Sequence, residues 1–270
     1  MKVPFFPYKD IFIEYKKSFH EKLDQILDGG QYIFGDELKK FENSINKYVG
    51  SKYCLGVANA TDALEMMLEF NNFQVEDEII LPSHTMVATL SAIVRSSAIP
   101  VPVDINMDGT ISIESIKKNI NQNTKAIIVA QLNGHTCDMD EINEVCENNN
   151  LLLFEDSAQA LGSKHNNKFA GTFGLAGCFS FYPAKILGGP GDGGALITNN
   201  EEFYDWALKH RDHGRGEDNQ IHHIGRNSRL DNLMAAFLNA QFIYFDNVIN
   251  RRREVAKIYN DSLAKINQIN

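Results

Sequence analysis

No stretch of the 270 residues approaches the roughly 18 uninterrupted apolar positions that a membrane helix requires, so no membrane span is expected. The segment Met1 to Asp10 mixes prolines, aromatics and charges and lacks the pattern of a signal peptide. Cysteine is scarce: Cys54, Cys137, Cys146 and Cys178 are scattered, with no CxxC pair. That spacing argues against a disulfide framework and for buried free thiols in a reducing, cytoplasmic compartment. Basic residues are outnumbered, 26 against 35, and a net charge of −9 argues against nucleic acid as a partner. The one dense basic cluster, Arg251-Arg252-Arg253, falls in a helix-like stretch and reads as a solvated face. Internal repeats and low-complexity tracts are absent.

What is present is an ordinary globular composition, 43% apolar and 23% charged, in a chain long enough for one large domain or two modest ones. Short apolar runs read as strands: Cys54–Asn59, Glu78–Pro82, Ala126–Leu132, Leu151–Asp156, Cys178–Tyr182 and Ala195–Thr198. Between them, Thr61–Phe70, His84–Ser97, Met139–Asn149 and Glu201–His210 carry helical period. Strand and helix in alternation, with strands apolar on both parities, predict an α/β fold: a mostly parallel sheet sandwiched by helices. The chain up to Val49 reads as helical, with breaks at Gly29-Gly30 and Gly35. From Asp231 to Asn270 it reads as one long helix, broken at most once near Asp246. Asp212–Asn227 is the longest polar loop and is expected to be mobile or to form an interface.

Ligands of open α/β sheets sit at the carboxyl ends of strands, and three such ends carry unusual polar content. Asn59-Ala60-Thr61-Asp62 starts a helix, whose free N–H groups suit an anion; an ordinary cap by Thr61 or Asp62 is the plainer reading. Glu155-Asp156 follows four apolar residues, so a buried carboxylate there needs a partner, and something positive should face Asp156. The alternative is that Asp156 caps the next helix. Lys185 leaves an apolar strand into the glycine-dense turn Gly188–Gly194. Desolvation there would lower its pKa and leave a neutral amine able to attack carbonyls. The glycines form neither a Walker loop nor a dinucleotide fingerprint, because no Lys-Ser/Thr follows them and they precede a strand. An anion-suited helix start, a carboxylate wanting a cation and a poised lysine jointly fit pyridoxal 5′-phosphate. His210, His213, His222 and His223 with Asp212 match no tight ligand spacing, and no metal is expected.

In their order, Asn59–Leu64, Glu155–Ala160, Ser180–Lys185, Gly191–Ala195 and Gly225–Asp231 resemble the DegT/DnrJ/EryC1/StrS nucleotide-sugar aminotransferases, as do Leu81–Thr85 and Pro100–Asp104. These are fold-type I enzymes that use pyridoxal phosphate. The resemblance covers the chain from about Gly35 to Tyr259 and implies a set of roles. Lys185 would form the internal aldimine and then shuttle a proton. Asp156 would hold the ring nitrogen protonated, and Gln159 would lie on the ring hydroxyl side. Ser180 and the Thr61-Asp62 helix start would bind the phosphate. Met86 occupies the position that stacks on the cofactor face, commonly aromatic or His in the family. Ala60 and Glu76 stand where glycine is frequent. Asn227 would reach in from the partner subunit of a homodimer whose active site lies at the interface.

By the same resemblance, glutamate would load nitrogen onto the cofactor, giving its pyridoxamine form. A nucleotide-linked keto-sugar would then accept the nitrogen, for amino-sugar biosynthesis of surface polysaccharide or glycoconjugate. Two alternatives stay open: a cofactor-binding but inactive or regulatory partner subunit, and a sugar dehydratase, although dehydrating relatives replace the lysine with histidine. The expected division is a helical segment over residues 1–35, a cofactor-binding large domain over 36–235, and the start of a truncated small domain over 236–270.

Overall fold

The structure of the protein, a computed structural model, describes residues 4–264 and 266. The expected run of helix to Asn270 therefore ends, in part, outside the described residues. The chain opens with α1 (Tyr8–Ile13), α2 (Lys16–Gly29) and α3 (Asp36–Val49). Then come β1 (Tyr53–Val57), α4 (Ala60–Asn71), β2 (Glu78–Pro82), α5 (Val87–Arg95), β3 (Ile99–Val103), α6 (Ile113–Asn119), β4 (Thr124–Ala130) and α7 (Met139–Asn149). The rest is β5 (Leu152–Asp156), the short pair β6 (Lys164–His165) and β7 (Lys168–Phe169), β8 (Ala176–Ser180), β9 (Gly194–Thr198), α8 (Glu201–His210), α9 (Asn232–Phe242) and α10 (Phe245–Leu263).

Seven strands form one sheet in the order β1-β9-β8-β5-β4-β2-β3. Strand β9 runs antiparallel to both its neighbours, and every other pairing is parallel. Six strands therefore end at one edge, where β9 begins. Alternate residues go to opposite faces, as the pleat demands. Leu55, Ile79, Ile128, Phe154 and Cys178 pack beneath α4, α5 and α8. Cys54, Phe179 and Ile197 pack beneath α3 and α9, while Ile80, Ile127 and Leu153 pack with residues of α6 and α7. Covered on both faces, the sheet needs the unbroken apolar runs seen in sequence.

The differences from expectation are local. Strand β3 carries Pro100 and Pro102, which argue against a strand, but it lies at the sheet edge, where a missing N–H costs no ladder bond. Helix α5 begins at Val87 rather than near His84. The long C-terminal helix is interrupted at Ile243-Tyr244, two to three residues before Asp246. No helix follows Asp156 directly, so the alternative that it caps one is ruled out; its Oδ1 instead accepts from the Ala158 N–H at 3.2 Å in a turn. The 212–227 loop is tied across its neck by bridges Asp212↔Asn227 and Arg215↔Ile221 and by Arg229 to Asp212 at 2.7 Å. All four cysteines are buried and free. No helix among the described residues is long and apolar enough to cross a membrane.

Candidate active site

A cavity of about 1680 Å³ lies at the carboxyl edge of the sheet, walled by the segments that leave β1, β2, β4, β5 and β8. All eight residues singled out from sequence line it: Thr61, Asp62, Met86, Asp156, Gln159, Ser180, Lys185 and Asn227. Topology explains the convergence. Asn59 to Asp62 leave β1, Met86 leaves β2, Asp156 and Gln159 leave β5, and Ser180 to Lys185 span the turn from β8 to β9.

The two adjacent acids point to opposite faces. Glu155 is fully buried and accepts the N–H groups of Gly171 (2.7 Å), Phe173 (2.6 Å) and Gly174 (3.2 Å) and the Gln131 amide (3.1 Å). Burial pushes its carboxyl up, against the pull of those donors. Glu155 therefore pins the 171–174 loop to the sheet. Asp156, registered beside Cys178 of β8, faces α5. Its Oδ2 accepts the Thr89 hydroxyl at 2.6 Å, and the Cys178 thiol lies 3.9 Å from Oδ1. Asp156 is 8% exposed, and among the described residues no lysine, arginine or histidine forms an ion pair with it. A buried carboxylate with neutral donors and no ion-paired cation would be completed by a protonated ring nitrogen, so the residues present fit pyridoxal phosphate.

Lys185 is half-buried, and desolvation lowers its pKa while Asp156 and Cys178 pull the other way. Its N–H donates to the Tyr182 carbonyl at 2.8 Å, closing the turn that carries it. At the phosphate-suited end, Asn59 and not Thr61 or Asp62 caps α4, its Oδ1 accepting the Asp62 N–H at 2.8 Å. Ala60 and Thr61 keep first-turn N–H groups with no intrahelical acceptor. The Asp62 carboxylate turns to Arg226 at 3.6 Å. Gly194 lets β9 start against this cap: a Cβ there would overlap the Asn59 carbonyl. Ser180 Oγ accepts the Tyr182 N–H at 3.3 Å on the same edge. Gln159 Oε1 accepts the Asn133 N–H at 2.8 Å, and Met86 is 57% exposed with its sulfur accepting from Ala88 at 3.0 Å. Asn227 stands beside Arg226, which is clamped on α4 by Glu65 at 2.5 Å and by Glu69.

Sequence reasoning missed several participants. Thr89 touches Asp156 from helix α5; two hydroxyls four residues apart, Thr85 and Thr89, at the start of a post-strand helix were the available signal. Arg252 and Arg253, read as a solvated face, line the cavity from α10, with Lys164 beside them on the wall. Of the histidine cluster, His210 and His223 stack on Trp206 at 4.1 and 5.3 Å between ring centroids and His222 pairs with Asp218. Among the described residues, Asp138, Asp140 and His165 are the grouping close enough to share a metal ion, away from that cluster.

Comparison with known proteins agrees with the fold. The model of the "DegT/DnrJ/EryC1/StrS aminotransferase family" matches residues 14–270. The dTDP-3-amino-3,6-dideoxy-alpha-D-galactopyranose transaminase of Aneurinibacillus thermoaerophilus is 40% identical over 259 residues, 95% of this chain and 71% of the relative. The crystal structure of S. venezuelae DesV in complex with a ketimine intermediate superposes with a TM-score of 0.93 at 34% identity, covering 97% of this chain and 71% of that one. NtdA from Bacillus subtilis with bound cofactor PMP gives a TM-score of 0.90 at 28% identity, over 99% of this chain and 62% of that one. The chain belongs to the DegT/DnrJ/EryC1/StrS aminotransferase family, whose members depend on pyridoxal 5′-phosphate.

Proposed function

We propose that the chain moves the amino group of glutamate to a nucleotide-linked keto-sugar in cytoplasmic amino-sugar biosynthesis. The observation that carries this reading is the pairing, in one cavity, of a half-buried Lys185 of lowered pKa with a buried Asp156 that has no protein cation. Pyridoxal phosphate, when bound, supplies an aldehyde for amines and a ring that withdraws electrons from the adjacent carbon. Asp156 would face the ring nitrogen and accept its N–H. Ala60 and Thr61 N–H groups, with the Thr61 and Ser180 hydroxyls, would hold the phosphate, Gln159 would contact the ring on its hydroxyl side, and Met86 would pack against the ring. Lys185 Nζ, whose charge burial disfavours, would take a proton from the donor carbon and return one to the sugar carbon.

The wall beyond the cofactor supports an anionic substrate. Arg252, Arg253 and Lys164 face the cavity and enter no ion pair among the described residues, in a chain of net charge −9. The cavity exceeds the common ligand-pocket range of roughly 300–1,000 Å³, leaving room for a sugar nucleotide beside the cofactor. We read the chain as one half of a homodimer, with Asn227 contributed across the interface. Exposed Met86 (57%), Val87 (63%) and Ile224 (95%) around the same region support a covered face there. We propose a cofactor-binding part and a second, C-terminal part, close to the division at 36–235 and 236–270. Helix α9 crosses that boundary with Ala235 and Leu238 in one core, so the second part is better begun within α10.

The test is spectroscopic. Purified protein loaded with pyridoxal phosphate should show a visible band that glutamate bleaches and that a nucleotide-linked keto-sugar restores. A band indifferent to glutamate would reject the aminotransferase reading in favour of a passive binder.

A further inference from the structure

A threonine inside a helix ordinarily returns its hydroxyl to the carbonyl one turn back. Thr89, the third residue of α5, instead gives its hydroxyl to a strand 67 residues away in the chain, at 2.6 Å from Asp156 Oδ2. Thr89 is fully buried and does not line the cavity, whereas Thr85, one turn earlier, does. The two hydroxyl oxygens are 2.8 Å apart.

Counting protons gives this chain a direction. An ionised carboxylate only accepts, so the single hydroxyl proton of Thr89 is committed to Asp156. The proton between the two threonines must then belong to Thr85. The other oxygen, Oδ1, accepts from the Ala158 N–H at 3.2 Å and has the Cys178 thiol at 3.9 Å. Both oxygens are thus held by neutral donors, which fix the plane of the carboxylate. Resting on the assignment of Asp156 to the ring nitrogen, we infer that Thr89 is the positioning residue of that aspartate. Oriented by Thr85, it fixes the carboxylate in the orientation that would grip a ring N–H.

Substitution of Thr89 by Val keeps its shape and removes the donor, whereas Thr89→Ser keeps the donor and removes the methyl group. Apo protein titrated with pyridoxal phosphate should show the dissociation constant of Thr89→Val raised about ten- to a hundredfold, from loss of one charge-assisted hydrogen bond. The pH midpoint of its visible band should move as well. Thr89→Ser should stay within about threefold of the parent, and Thr85→Val, which leaves the packing of Thr89 intact, should weaken binding about threefold. Should Thr89→Val fail to fold, the Thr85→Val and Thr89→Ser pair decides. A loss in Thr89→Ser with none in Thr89→Val would mean that the methyl packing matters and would overturn the inference. So would an unchanged constant and pH midpoint in Thr89→Val. If the parent itself gives no visible band with pyridoxal phosphate, the cofactor assignment falls instead.

Discussion

At the strand-end wall of the cavity, the adjacent acids Glu155 and Asp156 are buried and their oxygens are matched by donors. The wall formed by α10 is exposed from Asn250 onward, and Arg252 and Arg253 have no protein partner among the described residues. On the first wall, Asp156 is gripped by Thr89, Ala158 and Cys178, and its neighbour Glu155 by three backbone N–H groups and Gln131. On the second, helix turns carry cations into open space. The contrast separates two tasks. Chemistry that demands a fixed proton position is built into the sheet, where packing allows few rotamers. Recognition of a charged ligand is left to long side chains that settle only when the ligand supplies the counter-charge.

This contrast can be broken at four points, in descending size of effect. Lys185→Ala should lower transamination at least about a thousandfold, because it removes the group that carries the proton between the two carbons. Turnover near the parent rate would move the chemistry off the strand-end wall altogether. The adjacent acids come next and should fail differently. Asp156→Asn should cost about a hundredfold in rate with little change in thermal stability. Glu155→Gln, which sets an amide NH₂ against backbone donors, should destabilise the fold by about 2–4 kcal/mol in denaturant titration. A stable Glu155→Gln protein would show that the 171–174 loop is held by something else.

Arg252→Ala and Arg253→Ala should each raise KM for the nucleotide-sugar about tenfold at low salt, with cofactor affinity unchanged. A change in cofactor affinity instead would make the two walls one site. The smallest effect is a pH dependence. Burial lowers the Lys185 pKa in the folded apo protein, so the unfolded chain binds more protons there and folding is penalised below the lysine's ordinary pKa of about 10.4. Lys185→Met should therefore melt about 2 °C higher than the parent at neutral pH, and the gap should close as pH rises toward that value. A gap that widens with pH would contradict a desolvated lysine.

Much of the framework was legible in the chain itself. The apolar runs marked β1, β2, β4, β5, β8 and β9 to within a few residues because strands buried on both faces cannot hide polar groups. Strand β3 was not legible, since Pro100 and Pro102 are tolerated only by virtue of its edge position, which is a property of the whole sheet. Six of the eight candidate residues sit where a strand ends in polar or glycine-rich sequence, whereas Met86 and Asn227 came only from the family resemblance. Thr89 was hidden because it lies inside an apolar helix and acts through a contact with another strand. Arg252 and Arg253 read as a solvated face because helical period shows which residues share a face, not what stands opposite.

Sequence alone determined the α/β class, the order of elements, the family and the identities of Lys185, Asp156 and their neighbours. All of these are written in local pattern and in residue types that few other chemistries require. The tertiary structure decided the partners. It sent Glu155 to one face and Asp156 to the other, gave the cap of α4 to Asn59, and brought Thr89 and α10 to the same cavity. Partnership of this kind depends on pleat parity, strand register and helix placement, which act between segments distant in the chain.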